Sequence, residues 1–420
     1  MIRRGFSTAH PNIERMQTLF TDRLTTIKQE GRYRIFTDIG RISGWYPRGQ
    51  LYTKQGPRQK EIISFCSNDY LSMGQHPVVL SAMRKVLNAN GAGAGGTRNI
   101  SGTSPYHSEL ESELSDLHRT DRALVFSSGF VANDSTIATL GRMLPGCVIF
   151  SDECNHASLI DGIRNSGCEK QIYRHNDVEH LESLLSKKDP TSPAIIVFES
   201  VYSMSGDISP IEAICTLASA HGAITLVDEV HAVGLYGQTG AGMTEYVNPA
   251  HRPTIISGTL SKGYGVYGGY IASTDTICDV VRSAASGFIF TTALPPAIAA
   301  GAIASIQHLK HSSIERTTLH RKVHLLKALL TIAGIPFMDT DTHIVPILIG
   351  NPVLSKRIST LLLERYGLYI QHINYPTVAR GTERLRLTPG PTHTDQMLEQ
   401  LVRSISSVFR MVGIKCTPYI

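Results

Sequence analysis

From residue 123 to residue 257 the chain alternates short apolar runs with amphipathic stretches. Such alternation is the pattern of an α/β layer built on a mainly parallel sheet. The runs are Ala123–Phe126, Val148–Phe150, Ala194–Phe198, Ile224–Val227 and Thr254–Ser257, and most are followed by loops rich in Gly, Ser, Asn or His. Sheets of this class bind ligands beyond the carboxyl ends of their strands. Polar residues just after each run are therefore the first place to look for chemistry.

The flanks read differently. Met16, Leu19, Phe20, Leu24 and Ile27 recur at helical spacing and predict a helical arm over Ile13 to Glu30, with an apolar stripe that must pack on something. After about His308 come long amphipathic helices and then an α+β tail. There Val345–Ile349 and Leu385–Thr388 read as strands and Ser355–Tyr366 as a helix. At roughly 150 residues per domain, 420 residues divide into an arm (1–60), a large domain (61–307) and a smaller α+β domain (308–420).

Composition excludes some classes. A chain 42% apolar and 18% charged is globular rather than disordered or fibrous. The most apolar stretch, Leu294–Ile306, begins at two prolines and is shorter than the roughly 18 residues a bilayer needs, so no membrane span is expected. The net charge of +5 is scattered along the chain. It suits substrates bearing carboxylates and phosphates, and nucleic acid is not an expected partner. Seven cysteines without a Cys-x-x-Cys pair or zinc spacing point to reduced thiols and to no metal site. Met1–Ile13, with Arg3, Arg4 and no acid, is similar to a short mitochondrial presequence. A bacterial cytoplasm is the expected location, with the mitochondrial matrix as the alternative.

The most informative segment is SGTLSKGYGVYGG, Ser257–Gly269, in which Lys262 sits between hydroxyl residues and glycines after a strand. A lysine desolvated there has the lowered ammonium pKa a Schiff-base lysine requires, although a lone lysine in a glycine-rich turn is more often only a surface residue. Asp228 ends an upstream run, with His231 three residues on. An acid at a strand end can pair with a protonated pyridine nitrogen. An acid and a later lysine about 30 residues apart, both after strands, form the core pattern of fold-type I pyridoxal phosphate enzymes. Ser127, Ser128 and Gly129 lie between a strand and a helix, where backbone N–H groups can cradle a phosphate. His156 can stack on a pyridine ring, and Thr259 and Ser261 add hydroxyls. Each has a plainer alternative: Ser127 a helix cap, His156 a core histidine, Thr259 a strand end. Their order along one α/β pattern favours the cofactor. Near the other end Arg384 and Arg386 lie two apart on a strand. Arg386, nearest the Pro389–Pro391 turn, is expected to bind a carboxylate, and Arg384 to face the other way in a solvent salt bridge.

With these residues in place, the chain resembles the α-oxoamine synthases from about Glu14 to about Arg410. The resemblance is carried by EGRYRIF (30–36), GAGAGGTRNISGT (91–103), SDECNHASLIDGIRNSG (151–167), FESVYSMSGD (198–207), VDEVHAVGLYG (227–237), GFIFTTALPP (287–296) and INYPTVARGTERLRLTP (373–389). The GRYR, GTRNISGT and NYPTV pieces look specific to the branch that forms aminolevulinate. The resemblance implies a fold-type I transferase with pyridoxal 5′-phosphate, condensing glycine with succinyl-CoA to 5-aminolevulinate, CoA and carbon dioxide. The alternative is another member, of the 2-amino-3-oxobutyrate CoA ligase or 8-amino-7-oxononanoate synthase type, or an aminolevulinate-forming enzyme of secondary metabolism. It further implies catalytic roles for Lys262, Asp228, His156 and His231. Ser128, Gly129, Phe130, Thr259, Thr291 and, from a neighbouring subunit, Thr292 would hold the cofactor, which requires a homodimer with shared sites. Arg386 would take the glycine carboxylate, and Arg34, Asn99 and Thr97 the succinyl end. Asn68, Ser151, Lys170 and Thr377 complete the implied substrate set. The segment His372–Gly381 resembles the family's mobile lid.

Overall fold

A computed structural model describes residues 10–53 and 56–416, so most of the Met1–Ile13 segment lies outside the described residues. The strands in chain order are β1 (Asp38–Arg41), β2 (Arg48–Thr53), β3 (Gly56–Ser64), β4 (Arg122–Phe126), β5 (Val148–Asp152), β6 (Glu169–Tyr173), β7 (Ala194–Glu199), β8 (Ile224–Asp228), β9 (Ile255–Thr259), β10 (Gly269–Ser273), β11 (Val345–Leu348), β12 (Leu368–Tyr369), β13 (His372–Ile373) and β14 (Arg384–Leu387). Seven of them form one central sheet in the order β4-β10-β9-β8-β7-β5-β6. The pairs from β9 to β6 are parallel, and only β10 runs against both its neighbours.

Both faces of this sheet are buried, which is why its strands read as continuous apolar runs. Because successive side chains point to opposite faces, one strand feeds two cores. Leu124, Phe126, Ile149, Ile195, Val197 and Leu226 pack on one side under the helices Gly129–Met143 and Ala157–Ser166. Val125, Phe150, Ile196, Phe198 and Val227 belong to the larger core on the other side. The parallel strands end together at Asp152, Glu199, Asp228 and Thr259, so their carboxyl ends form one polar rim.

The five runs read from the sequence are all strands, with boundaries moved by a residue or two: Thr254–Ser257 becomes Ile255–Thr259. The arm is a helix over Pro11–Gln29, but Met16, Leu19, Phe20 and Leu24 are exposed, so among the described residues the expected packing of its stripe is absent. Residue 308 lies inside the helix Pro296–His311 rather than in a linker. β3 pairs in parallel with β12, tying the N-terminal strands β1 to β3 to the last third of the chain. A three-stranded sheet, β11-β14-β13, completes that part. Among the described residues no helix is long and apolar enough to cross a membrane.

Candidate active site

The rim at the carboxyl ends gathers groups far apart in sequence. Lys262, in the loop after β9, is half-buried, and desolvation with the nearby Arg386 charge lowers its ammonium pKa to about 8, despite support from Asp228. Its Nζ lies 2.8 Å from His231 Nε2. Burial and the Lys262 charge hold His231 well below the usual imidazole range, so the ring is neutral. With Nε2 accepting from Lys262, Nδ1 carries the proton and donates to the Tyr70 hydroxyl at 2.8 Å. Tyr70 in turn donates to Asn68 Oδ1 and accepts from Arg386 Nη2. A single chain of hydrogen bonds therefore runs from Lys262 to Arg386.

A second chain runs from Asp228. Its Oδ2 accepts from Asn133 Nδ2 at 2.6 Å and its Oδ1 from the Val230 amide at 2.9 Å. Asn133 Nδ2 also reaches Ser158 Oγ, which pairs with His156 Nδ1 at 2.8 Å. Burial raises the Asp228 pKa, while the Val230 amide, Lys262 and Asn133 favour its charged form.

The third component is a cradle. Ser128 caps the helix Gly129–Met143 by accepting from the Val131 amide, so the cap is Ser128 and not Ser127. The next amides, of Gly129 and Phe130, belong to the first turn, where N–H groups have no intrahelical partner and favour anions. Thr259 Oγ1 lies 3.0 Å from Ser261 Oγ behind it. β10 comes so close that a Cβ on Gly269 would stand 2.3 Å from the Gly129 nitrogen. The lysine loop is fitted as tightly: Gly265, at φ +71°, packs where a Cβ would stand 2.1 Å from the Gly74 nitrogen.

Arg386 donates from Nε to the Ser203 carbonyl at 2.7 Å and from Nη1 to Asn68 Oδ1 at 3.1 Å. The expectation for Arg384 is corrected. It is buried, makes no salt bridge among the described residues, and donates to the Met204 carbonyl beside Ser203. Strand alternation has a period of two, so residues i and i+2 share a face and both guanidiniums reach the same loop.

Other expected residues are placed as follows. Arg34, exposed, donates from Nη2 to Thr377 Oγ1 at 3.2 Å, which joins the arm to the segment after β13. Thr97 pairs with Thr292 in an isolated bridge. Thr291 and Thr292 line a small cavity with Ser127 and Arg98, and Asn99 is exposed beside them. Ser151 is buried and occupied by Asn155 Nδ2 at 2.9 Å. Lys170 is exposed near the start of edge strand β6, away from the rim. Sequence reading missed Tyr70, Asn133, Ser158 and Glu199. Only Glu199 carried a signal: like Asp228, it is an acid ending an apolar strand.

Residues 60–405 match the family model for class I and II aminotransferases. The 5-aminolevulinate synthase of Rhizobium meliloti (strain 1021) is 52% identical over 393 residues, 94% of this chain and 97% of that protein. The chain belongs to the 5-aminolevulinate synthases. Bacterial and mitochondrial members are alike in this: the human erythroid-specific mitochondrial 5-aminolevulinate synthase is 50% identical over 94% of this chain and 68% of its own length. The fold of this 5-aminolevulinate synthase family member extends to solved neighbours with other names. Sphingomonas wittichii serine palmitoyltransferase superposes with a TM-score of 0.86 at 28% identity, covering 96% of this chain and 99% of its own. The 8-amino-7-oxononanoate synthase of Francisella tularensis gives a TM-score of 0.70 at 26% identity, covering 84% of this chain and 99% of its own.

Proposed function

We infer that this chain condenses glycine with succinyl-CoA to give 5-aminolevulinate, CoA and carbon dioxide, with pyridoxal phosphate as cofactor. The observation that carries the reading is the 52% identity to a 5-aminolevulinate synthase across 94% of the chain. The local structure fits the cofactor: a desolvated amine, a buried acid fixed by two donors, and a helix N-terminus pressed against a strand with no room for a side chain.

In this reading Ser128, Gly129, Phe130 and Thr259 would hold the phosphate, His156 would lie against the ring, and Asp228 would pair with the ring nitrogen. When bound, pyridoxal phosphate supplies an aldehyde that captures amines and an electron-poor ring that takes up carbanion charge. Lys262 would anchor it through Nζ and, once displaced by glycine, would take the proton from the glycine α-carbon. His231 accepts a hydrogen bond from Lys262 Nζ, aiming its lone pair, and Tyr70 fixes the His231 tautomer. Arg386, braced by Asn68 and the Ser203 carbonyl, binds the glycine carboxylate. Arg34, Thr377, Thr97 and Asn99 bind the succinyl carboxylate. A guanidinium left without its carboxylate is costly, so Arg34 disfavours neutral acyl groups.

The reading includes a homodimer in which Thr292 and Thr291 of one protomer complete the site of the other. In support, Phe290 beside them is 80% exposed, and the apolar stripe of the arm is uncovered. A bacterial cytoplasm is proposed from the bacterial relatives, and the mitochondrial relatives support the alternative.

Mixing purified protein with glycine and succinyl-CoA tests the function: thiol release and 5-aminolevulinate are expected. Faster release with acetyl-CoA, or with alanine and a pimeloyl thioester, would assign the chain to a different acyl donor. Lys262→Ala is expected to lower turnover by more than about a thousandfold, since it removes both the anchor and the base. Measurable turnover near wild type would refute its role.

A further inference from the structure

β7 ends in Glu199, whose side chain is 1% exposed and whose two carboxyl oxygens have no hydrogen-bond partner among the described residues. Buried polar groups are nearly always paired, and an unpaired charge in a dry site is far more costly than an unpaired neutral group. Asp228 occupies the adjacent rung of β8. The other polar groups facing Glu199 are Lys262, the Tyr202 phenol, and the backbone amides of His156 and Ser203. Two carboxyls this close in a desolvated site share one charge at neutral pH. Hydrogen bonding decides which keeps it. Asp228 accepts two well-formed hydrogen bonds, from Asn133 and Val230, whereas Glu199 accepts none of good geometry, the His156 and Ser203 amides being its nearest donors. Burial and the Asp228 charge push the Glu199 carboxyl well above the usual carboxylate range, more than Lys262 and the amides pull it down.

We propose that Glu199 is an uncharged carboxylic acid and a positioning residue, leaving the single negative charge on Asp228 and spacing the His156 and Ser203 loops on either side of the substrate carboxylate. The Ser203 loop carries the carbonyl that orients Arg386, and the His156 loop is tied through Ser158 and Asn133 to Asp228. Glu199 therefore acts through both without touching the reacting atoms. The positioning role rests on the function proposed above, whereas the protonation state does not.

Infrared difference spectra of the full chain at pH 7, wild type minus Glu199→Gln, test the charge directly. One carboxylic acid C=O band is expected, and a carboxylate band in its place overturns the proposal. In the holoenzyme, the pH midpoint of the coenzyme's visible band is expected to move by less than about 0.3 unit in Glu199→Gln, because no charge is removed. A move of about one unit or more also overturns it. For the positioning role, Glu199→Ala is expected to raise the glycine KM about tenfold, with Glu199→Gln rescuing most of the loss. An unchanged KM in Glu199→Ala overturns that part. A carboxylic acid band in a protein that releases no CoA from succinyl-CoA and glycine would refute the proposed function alone.

Discussion

Lys262 shows how a residue acquires chemistry from its surroundings. Its ammonium pKa falls to about 8 because burial and Arg386 outweigh the support of Asp228. Below that value the amine is protonated and cannot attack a carbonyl; above it the amine is free. The rate at which coenzyme-free enzyme captures added pyridoxal phosphate should therefore rise about tenfold per pH unit and level off above about 8, as read by the growth of visible absorbance. A rise continuing past pH 10 would mean an ordinary, solvated lysine. Lys262 and Asp228 were legible because a strand-end acid and a strand-end lysine are local patterns. That Arg384 and Arg386 share a face was legible too, since strand alternation has a period of two, but which loop lies over that face was not.

At the scale of elements, the loops after β5 and β7 are joined by a clamp. His175, after β6, lies between Asp152 at the end of β5 and Asp207 beyond β7, with both ring nitrogens engaged. Asn176 adds hydrogen bonds to the same two carboxylates. Burial alone would lower the His175 pKa, but hydrogen bonds to Asp152 and Asp207 outweigh it and hold the ring protonated, with a pKa near 12. A raised folded-state pKa contributes stability that is complete below pH 6.5 and is lost only as pH climbs through that high value. The clamp is thus fully formed at physiological pH. His175→Leu leaves the buried Asp152 without its cation and is expected to cost about 3 kcal/mol or more, read as a lower urea midpoint. A midpoint within experimental error of wild type would show that the clamp is not needed. Strands and helices were read well here because side-chain period is a local property. The clamp was hidden because Asp152, His175 and Asp207 meet only when β5, β6 and β7 lie side by side.

For the molecule as a whole, the seam between its first and last segments is acid-sensitive. His393 is 1% exposed, accepts from the Gly390 amide and donates to the Ser64 carbonyl, and burial lowers its pKa to about 4. His118 is likewise buried against Tyr270, with its pKa lowered by burial to about 3. An unfolded histidine takes a proton near pH 6.5 while these folded ones refuse it. Their stabilisation is complete above pH 6.5 and is lost as pH falls toward 4. His393 alone predicts a chain about 2 kcal/mol less stable at pH 5 than at pH 7, with the difference reduced in His393→Gln. Equal stability at the two pH values would contradict its neutral burial. The primary structure by itself determined the α/β layering, the strands, and the lysine and acid at their ends, since periodicity and side-chain chemistry are written residue by residue. Only the tertiary structure decided that Tyr70 links His231 to Arg386, itself 316 residues further along the chain than Tyr70, and that Glu199 loses its water beside Asp228. Desolvation and register are set by what packs alongside, and no local stretch of chain contains that information.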